Sequence, residues 1–315
     1  MPDPSATAFA RSDDEAGRFL NLLSRHGLLI PTSAQGVYGR GAIFRGVVEA
    51  ACALVGRLSP PGAEAIEFPP VIDRRSFQAT HYLANFPHLA GVVHCFCGDD
   101  EGHARLLETV AAGGDWASEL APSEVVLTPA ACYPVYGVVA ARGPLPEGGL
   151  FVDASSWCFR HEPSSSPVRM LSFLQREQVC LGTDAHVRAF QTAWKTRAMA
   201  MFQALRLPAE YRPAKDPFFG RLGGLVAQGQ QARGLKHEIL VPIVDPACPD
   251  ACGSFNHHGD HFARAFGVRT ADGETARTAC AGFGLERLAL ALFRHHGFRP
   301  ATWPADVRKA LWPEA

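Results

Sequence analysis

Residues 280–290 constrain the fold of this 315-residue chain more than any other stretch. Gly282 and Gly284 allow a tight backbone path and the close approach of a ligand, because glycine has no β-carbon. An apolar run with helical periodicity starts at Leu285 and predicts a core helix. Arg287 lies in its first turn, where a forked guanidinium and the helix N-terminus could bind a phosphate. The alternative is a turn before a core helix that carries a surface arginine.

Composition narrows the class of protein. The formal net charge of -1 argues against a broad basic surface for nucleic acid. The chain has no run of ~18 apolar residues and no apolar signal segment at its N-terminus, so neither a membrane span nor secretion is expected. Nine cysteines without a framework spacing favour reduced thiols, and we therefore predict a cytoplasmic protein.

Periodicity predicts short strands flanked by helices. Residues 1–14 are expected to form a mobile lead-in, and amphipathic or core helices are predicted at 15–26, 42–58, 184–205 and 285–295. Strands or extended runs are predicted at 28–32, 68–72, 91–96, 125–127, 133–136, 149–153, 157–162, 170–181, 235–244 and 275–281. We find no repeat and no linker, which indicates one α+β domain, 15–315, on a mostly antiparallel sheet.

A predicted hairpin combines groups that suit a nucleotide. Alternation places Arg160 and Glu162 on one face, and Phe173 and Glu177 on one face of the returning strand. Together they offer an arginine for a phosphate, a flat ring for a base and a carboxylate for an amine or a metal. A surface hairpin with cross-strand ion pairs is the alternative.

Three distant residues form a candidate metal site. Cys132, Glu177 and Cys280 each lie in a predicted strand, and two thiolates with one carboxylate would give zinc three ligands and an open fourth position. Their spacing does not require this, and buried groups without a metal are the alternative. A competing, compact set consists of Cys252, His257, His258 and His261.

The strand predicted at 235–244 places Lys236 and Glu238 on the same face. A lysine and a carboxylate beside phosphates could serve pyrophosphate and Mg²⁺ respectively. A cross-strand ion pair explains the same residues equally well.

Several segments resemble a known enzyme class. Residues 159–162, with Phe173 four positions before Glu177, resemble motif 2 of the class II aminoacyl-tRNA synthetases, and residues 282–287 resemble motif 3. The passage 31–45 stands where motif 1 would be. Residues 169–183, 211–221 and 254–297 resemble more narrowly the amino acid:carrier-protein ligases, truncated relatives of the zinc-dependent seryl-tRNA synthetases of methanogens. Cys280 departs from the glycine usual in motif 3, as it does in this subfamily.

The resemblance, which extends from about Gly27 to the end of the chain, implies a fold and an activity. The fold is the class II synthetase-like antiparallel sheet flanked by helices, in a homodimer. The activity is ATP-dependent activation of a small amino acid, glycine or alanine, and transfer of the aminoacyl group to the phosphopantetheine thiol of a small acidic carrier protein. One Zn²⁺ per subunit and Mg²⁺ with ATP are implied as cofactors.

The resemblance also assigns roles to individual residues. Cys132, Glu177 and Cys280 would hold Zn²⁺, which takes the α-amino group of the substrate. Arg160 would hold the α-phosphate and the substrate carboxylate, and Arg287 would grip the outer phosphates. The other residues implied for ATP are Glu162 and Phe173 at the base, Arg169 at the outer phosphates, and Met170, Lys236, Glu238, Ala251, Cys252, Gly253 and Ser254.

The acceptor is predicted to be a carrier protein rather than tRNA, because few residues precede the core and the net charge is near zero. The helical segment 184–206 carries Arg188, Lys195 and Arg197, and we expect it to dock the acidic carrier, although a solvated basic face is the plainer interpretation. Two further functions stay open. One is a seryl-tRNA synthetase-like enzyme that acts on tRNA, and the other is a non-catalytic regulatory paralogue.

Overall fold

The computed structural model describes residues 4–313. Its α-helices are α1 (Pro4–Arg25), α2 (Ala42–Arg57), α3 (Arg74–Ala79), α4 (Tyr82–Asn85), α5 (Asp100–Ala111), α6 (Tyr133–Ala140), α7 (Asp184–Ala204), α8 (Gly220–Ala232), α9 (His261–Phe266), α10 (Leu285–His296) and α11 (Ala305–Leu311). Short 3₁₀ turns lie at Pro87–Leu89, Trp116–Glu119 and Pro300–Thr302.

The strands are β1 (Leu29–Pro31), β2 (Tyr38–Arg40), β3 (Glu64–Phe68), β4 (Val71–Asp73), β5 (Val92–Cys95), β6 (Ala121–Leu127), β7 (Leu150–Phe159), β8 (Ser172–Gly182), β9 (Glu210–Pro213), β10 (Lys236–Asp245), β11 (Cys248–Gly259) and β12 (Arg277–Gly284). The main sheet has the order β3-β7-β8-β12-β11-β10-β9. Only β3 and β7 run parallel in it. A three-stranded sheet β4-β6-β5 and the pair β1-β2 lie beside it.

One face of the main sheet packs in the larger core, and the other lines a cavity. On β12, Ala279, Ala281 and Phe283 point into the larger core, where α2, α7 and α10 cover the sheet. We call this the back face. Cys280 and Gly282 point the opposite way and line a cavity, because side chains alternate along a strand. We call this the front face, and α6 and α9 cover one end of it.

The predicted α+β class with a mostly antiparallel sheet is confirmed, but several elements differ from prediction. Residues 133–136 belong to helix α6 rather than to a strand, with Pro134 in the first turn, where proline is tolerated. The strands predicted at 149–153 and 157–162 form the single strand β7, which ends before Arg160. Strand β11 and helices α5 and α8 were not predicted.

Two helix starts also differ from prediction. The helix expected at 15–26 begins at Pro4, so residues 4–14 of the predicted lead-in are helical, and residues 1–3 lie outside the described part of the chain. Thr183, rather than Asp184, caps α7, and its side chain forms a reciprocal capping box with His186. Within the described residues, no helix combines the length and apolarity needed to cross a membrane.

Candidate active site

A cavity of about 660 Å³ opens on the front face of the main sheet, a volume typical of small-molecule sites. Sheet register explains why its polar groups meet. One row of cross-strand neighbours runs Glu238, Ser254, Gly282, Glu177, and the adjacent row runs Lys236, Asn256, Cys280. Directly opposed residues share a face of the sheet, so residues far apart in sequence line one cavity.

Cys132, Glu177 and Cys280 come together in the wall of the cavity. One ligand atom from each lies within 4.8 Å of the others, and all three side chains are buried. Glu177 comes from β8 and Cys280 from β12, as predicted, whereas Cys132 immediately precedes helix α6 instead of lying in a strand. The donor set therefore forms even though the local structure predicted for Cys132 was wrong.

The electrostatics of these groups fit a divalent cation. Burial raises the pKa of Cys132 well above its usual value and also raises the pKa of Glu177. Contact with Cys132 lowers the pKa of Cys280, but burial and the nearby Glu177 outweigh this effect and leave it raised. Among the described residues, the Oε2 atom of Glu177 is buried without a hydrogen-bond partner, which is costly unless something binds it. Two thiols and a carboxylate are a ligand set suited to zinc.

The competing set of Cys252, His257, His258 and His261 does not assemble. Cys252 is buried and packs in the larger core, and it also borders the cavity. Across residues 4–313, the group of His, Cys, Asp or Glu atoms close enough to hold one ion is that of Cys132, Glu177 and Cys280. His258 instead contacts this group from outside, with Nε2 at 3.6 Å from Sγ of Cys280. Burial lowers the pKa of His258 to about 3, so its ring is neutral.

Two arginines enter the cavity with their charges available. Arg160 follows β7, and its Nε donates to the Pro129 carbonyl at 3.1 Å. Arg287, in the first turn of α10, donates to the carbonyls of Val168 at 2.8 Å and Ala251 at 3.1 Å. Among the described residues, neither forms a salt bridge with a carboxylate. Two guanidinium groups held by neutral carbonyls keep their positive charge for an anion.

The residues predicted to bind the base also line this cavity. The ring of Phe173 lies 5.5 Å from the Arg160 guanidinium carbon. Glu162 accepts a hydrogen bond from Arg169 at 2.6 Å, and Met170 lines the same wall. Arg160 and Glu162 reach the cavity from the loop after β7 rather than from a strand. The alternation of side chains along a strand, from which their shared face was predicted, therefore does not explain their position.

Lys236 forms a buried ion cluster that the sequence indicated only in part. Its Nζ pairs with Glu238 at 3.1 Å and with Asp216. Burial acts to raise the pKa of Asp216, but Lys236 and a hydrogen bond from Gln230 together lower it below its ordinary value. Asp216 lies between β9 and α8, within the segment 211–221 that resembles the ligases, although no role was predicted for it. The cluster leaves Glu238 paired rather than free.

Residues 251–254 lie in strand β11 rather than in a loop, and all four residues line the cavity. The preceding Asp250 was not predicted. Its Oδ2 is buried and has no hydrogen-bond partner in the described part of the chain, and burial raises the pKa of Asp250 against the opposing charges of Arg287 and Arg169. A carboxylate without a partner beside the arginines is a candidate ligand for a cation bound to phosphates.

Glu286 is a second residue that the sequence did not single out. It is buried next to Arg287 and accepts hydrogen bonds from the Leu174 backbone N–H at 2.8 Å and from Arg40 at 2.9 Å. It thereby joins α10 to β2 and to β8. Burial raises the pKa of Glu286 to about 7, against the lowering effect of Arg40.

An aromatic wall bounds the cavity beside the three metal-type donors. Ring centroids lie 5.7 Å apart for Tyr82 and Tyr133, and 5.5 Å apart for Tyr133 and Phe262. Phe262 stacks on the buried Tyr136 at 4.3 Å. Aromatic side chains therefore line the same cavity as Cys132.

The helix predicted to dock a partner lies on the back face of the sheet. Trp194 of α7 packs against Phe283 with ring centroids 5.9 Å apart, whereas the cavity lies on the other side of β12. Lys195 covers the ring of Tyr211 at 4.8 Å and Arg188 pairs with Asp184. The basic side chains of α7 therefore do not border the cavity.

Comparison with known proteins gives a consistent result. No protein-family model matches the chain. The chain is 44% identical over 278 residues to amino acid–acyl-carrier-protein ligase 1 of Bradyrhizobium diazoefficiens. The aligned region covers 88% of this chain and 85% of the relative. It is also 44% identical to ligase 2 of the same organism over 276 residues. The type-2 serine–tRNA ligase of Methanopyrus kandleri is 26% identical over 63% of this chain and 40% of its own length.

Solved structures show the same fold at low identity. The seryl-tRNA synthetase of M. kandleri, solved with an Aquifex aeolicus tRNA, superposes with a TM-score of 0.77 at 21% identity over 93% of this chain. The chain spans 60% of that synthetase. The seryl-tRNA synthetase of Pyrococcus horikoshii, solved with ATP, gives a TM-score of 0.63 at 15% identity. The fold is thus that of the class II aminoacyl-tRNA synthetases.

Proposed function

The chain belongs to the family of amino acid–acyl-carrier-protein ligases, and from this membership and the site geometry we propose that it uses ATP to join an amino acid to a carrier protein. One observation carries the proposal. A single cavity holds two guanidinium groups without carboxylate partners beside a buried set of two thiols and one carboxylate. The first pair suits the phosphates of ATP, and the second set suits a metal ion that binds an amine.

ATP is proposed to lie between Phe173 and the two arginines. Arg160 would neutralise the α-phosphate and Arg287 the outer phosphates, since both are held in place by carbonyls before any ligand arrives. Groups fixed in advance need no reorganisation as charge develops in the transition state. Glu162 and Phe173 would contact the adenine, and Arg169 would move from Glu162 to a phosphate.

Cys132, Glu177 and Cys280 are proposed to hold Zn²⁺. When bound, the ion supplies an open coordination position for the unprotonated α-amino group, so a carboxylic acid without an amine is not selected. These residues then orient the substrate so that its carboxylate lies toward Arg160, which lines the same cavity. Binding and orientation of this kind lower the barrier by removing the entropy cost of bringing reactants together.

The chemistry occurs in two displacements. A substrate carboxylate oxygen attacks the α-phosphorus of ATP, a new P–O bond forms, and the bond to the β-phosphate oxygen breaks with release of pyrophosphate. The thiolate of the carrier's phosphopantetheine then attacks the activated carbonyl carbon. A thioester forms, and AMP leaves with the electron pair of the broken C–O bond. Arg160 faces the α-phosphate in both steps.

For Mg²⁺ with ATP, Asp250 is a better candidate than Glu238. Glu238 is already paired with Lys236 at 3.1 Å, whereas Oδ2 of Asp250 is buried without a partner. Carboxylate oxygens together with substrate phosphates are the usual ligands of Mg²⁺ in ATP sites. Lys236 would then serve the nucleotide as a positive charge held by Asp216 and Glu238.

A small amino acid is the proposed substrate, with glycine or alanine favoured. The wall formed by Tyr82, Tyr133 and Phe262 bounds the space beside the metal donors. A branched or long side chain attached next to a metal-bound amine would meet these rings. One extra methylene in such a pocket changes discrimination by about 10- to 200-fold.

The docking of the carrier by α7 stays a prediction. Because α7 lies on the back face, a carrier bound to Arg188, Lys195 and Arg197 would have to extend its phosphopantetheine arm around an edge of the sheet. Charge reversal at these three residues tests the prediction: it is expected to slow aminoacyl transfer and spare adenylation, and unchanged transfer would exclude α7 as the docking site. A homodimer and a cytoplasmic location likewise stay predictions.

Amino-acid-dependent ATP–pyrophosphate exchange with each of the twenty amino acids, with and without a zinc chelator, tests the proposed function. We expect chelator-sensitive exchange with glycine or alanine, and little with larger amino acids. A second assay follows transfer of labelled amino acid to a carrier with phosphopantetheine, with the unmodified carrier as control. Exchange with serine together with charging of tRNA would favour a synthetase. No exchange with any amino acid would refute the ligase proposal.

A further inference from the structure

Two side chains on β11 lie beside the Cys280 thiol. Asn256 pairs directly with Cys280 across the β11–β12 ladder, and its Nδ2 lies 3.5 Å from Sγ. The Nε2 atom of His258 lies 3.6 Å from the same sulfur. Both side chains line the cavity together with Cys280. Cys280 therefore has two nitrogen neighbours from the adjacent strand.

Two hydroxyl groups lie beside the other ring nitrogen of His258. Its Nδ1 lies 3.1 Å from Oγ1 of Thr278 and 3.4 Å from the hydroxyl of Tyr136. If the hydroxyls donate to Nδ1, the proton of the neutral ring is on Nε2. Nε2–H then points at the sulfur as a donor. Edge contacts with Phe262 at 4.8 Å hold the ring plane in this orientation.

His258 is not itself part of the donor set. The atoms of Cys132, Glu177 and Cys280 lie within 4.8 Å of one another, and no nitrogen of His258 joins that group. Its contact is with one ligand, from outside. Groups in this position orient the ligands of a metal and tune their donor strength, and their loss typically lowers metal affinity by about 10- to 100-fold.

We propose that His258 and Asn256 are positioning residues for the metal, whose N–H groups donate to Sγ of Cys280 and hold it in its metal-binding orientation. Thr278 and Tyr136 act one step further out by fixing the tautomer of His258. This inference rests on the proposed metal site and deepens it. Strand β11 thus has a part in metal binding although it contributes no ligand.

The test measures metal binding rather than activity. Zinc affinity is determined by competition with a chromophoric chelator for the wild-type protein, His258→Phe and His258→Gln. Glutamine keeps an N–H donor near the position of Nε2, whereas phenylalanine keeps ring volume without a donor. We expect zinc affinity to fall about 10- to 100-fold in His258→Phe and to recover largely in His258→Gln. With Co²⁺ in place of Zn²⁺, the thiolate-to-cobalt absorption is expected to shift in His258→Phe alone.

Thr278→Val gives a second variant that does not alter the ring. It removes one of the two hydroxyls that fix the tautomer, so we expect a severalfold loss of zinc affinity with an unchanged melting temperature of the metal-free protein. If His258→Phe does not fold, the zinc affinity of Thr278→Val tests the positioning role of His258, and an unchanged affinity would contradict that role.

The outcomes separate this inference from the metal site on which it rests. If the wild-type protein binds no zinc, the proposed metal site fails and this inference fails with it. If the wild-type protein binds zinc and folded His258→Phe binds it equally well, the metal site stands and this inference is wrong. Equal losses in His258→Phe and His258→Gln would show that His258 acts by packing, which also overturns the positioning role.

Discussion

Replacing Gly282 with alanine tests whether the sheet holds the carboxylate of Glu177 in a metal-binding position. Gly282 lies directly opposite Glu177 on the neighbouring strand. A β-carbon at residue 282 would lie 3.1 Å from Cγ of Glu177, 3.3 Å from its Cδ and 3.3 Å from Nε2 of Gln175. Carbon atoms pack best at about 3.5–4.0 Å, so a neighbour must yield by roughly 0.5 Å.

Glu177 is the side chain expected to move. Gln175 is held at its Oε1 by the Ala131 N–H at 3.2 Å and by the Cys158 thiol at 3.3 Å. The Oε2 atom of Glu177 has no such partner. Metal sites tolerate ligand displacements of only about 0.2 Å. We therefore expect zinc affinity to fall about tenfold, or ~1.4 kcal/mol, with a stability loss of about 1–3 kcal/mol from overpacking.

Gly284 provides the matched control in the same motif. A β-carbon there meets nothing within 4 Å, and its φ of -80° suits any residue. Chelator competition on wild-type protein, Gly282→Ala and Gly284→Ala gives the comparison. Equal zinc affinity in all three would refute the argument that the backbone register fixes the Glu177 carboxylate.

Three further predictions follow from individual contacts. Arg287→Gln removes the charge proposed for the outer phosphates, and since charged hydrogen bonds contribute about 1.5–3 kcal/mol each, ATP–pyrophosphate exchange is expected to fall about 100-fold or more; near-normal exchange would contradict this. Burial raises the pKa of Glu286 in the folded protein from an ordinary 4.5 to about 7. As the pH rises from 4.5 to 7, the free energy of unfolding of the wild-type protein is therefore expected to fall by up to about 3 kcal/mol relative to that of Glu286→Gln. Urea unfolding at several pH values measures this, and a pH-independent difference would show that Arg40 keeps the carboxylate charged. Phe262→Leu enlarges the space beside the aromatic wall, so ATP–pyrophosphate exchange with valine relative to glycine should rise severalfold. An unchanged ratio would show that Phe262 does not select the substrate.

Local patterns in the sequence predicted the parts of the fold in which alternation or helical periodicity is unbroken. Helices α2, α7 and α10 and strand β10 begin and end within a few residues of their predicted bounds. Residues 133–136 misled the prediction because tyrosine and valine favour strands locally. There, packing of Tyr136 on Phe262 decides the outcome in favour of a helix, as tertiary contacts commonly override weak propensities.

Strand β11 and two acidic residues of the site, Asp216 and Asp250, were not predicted, for a different reason. The sequence of β11 is polar and glycine-containing because one of its faces lines the cavity, so it lacks the apolar alternation typical of a strand. Only pairing with β10 and β12 specifies it. Asp250 carries no motif, and Asp216 lies in the segment 211–221, where no role was predicted for it. Their proximity to Lys236 and Arg287 arises from contacts between distant segments.

The same register builds both the core and the candidate site. On β12, Phe283 and Ala281 fill the back-face core while Gly282 and Cys280 face the cavity. A slip of one residue would exchange the two sets and bury thiol and glycine where the core needs apolar volume. Core packing therefore enforces the positions of Cys280 and of Glu177 on the next strand. Since core strands open only with the whole domain, we infer that Cys280 and Glu177 keep their relative positions until global unfolding.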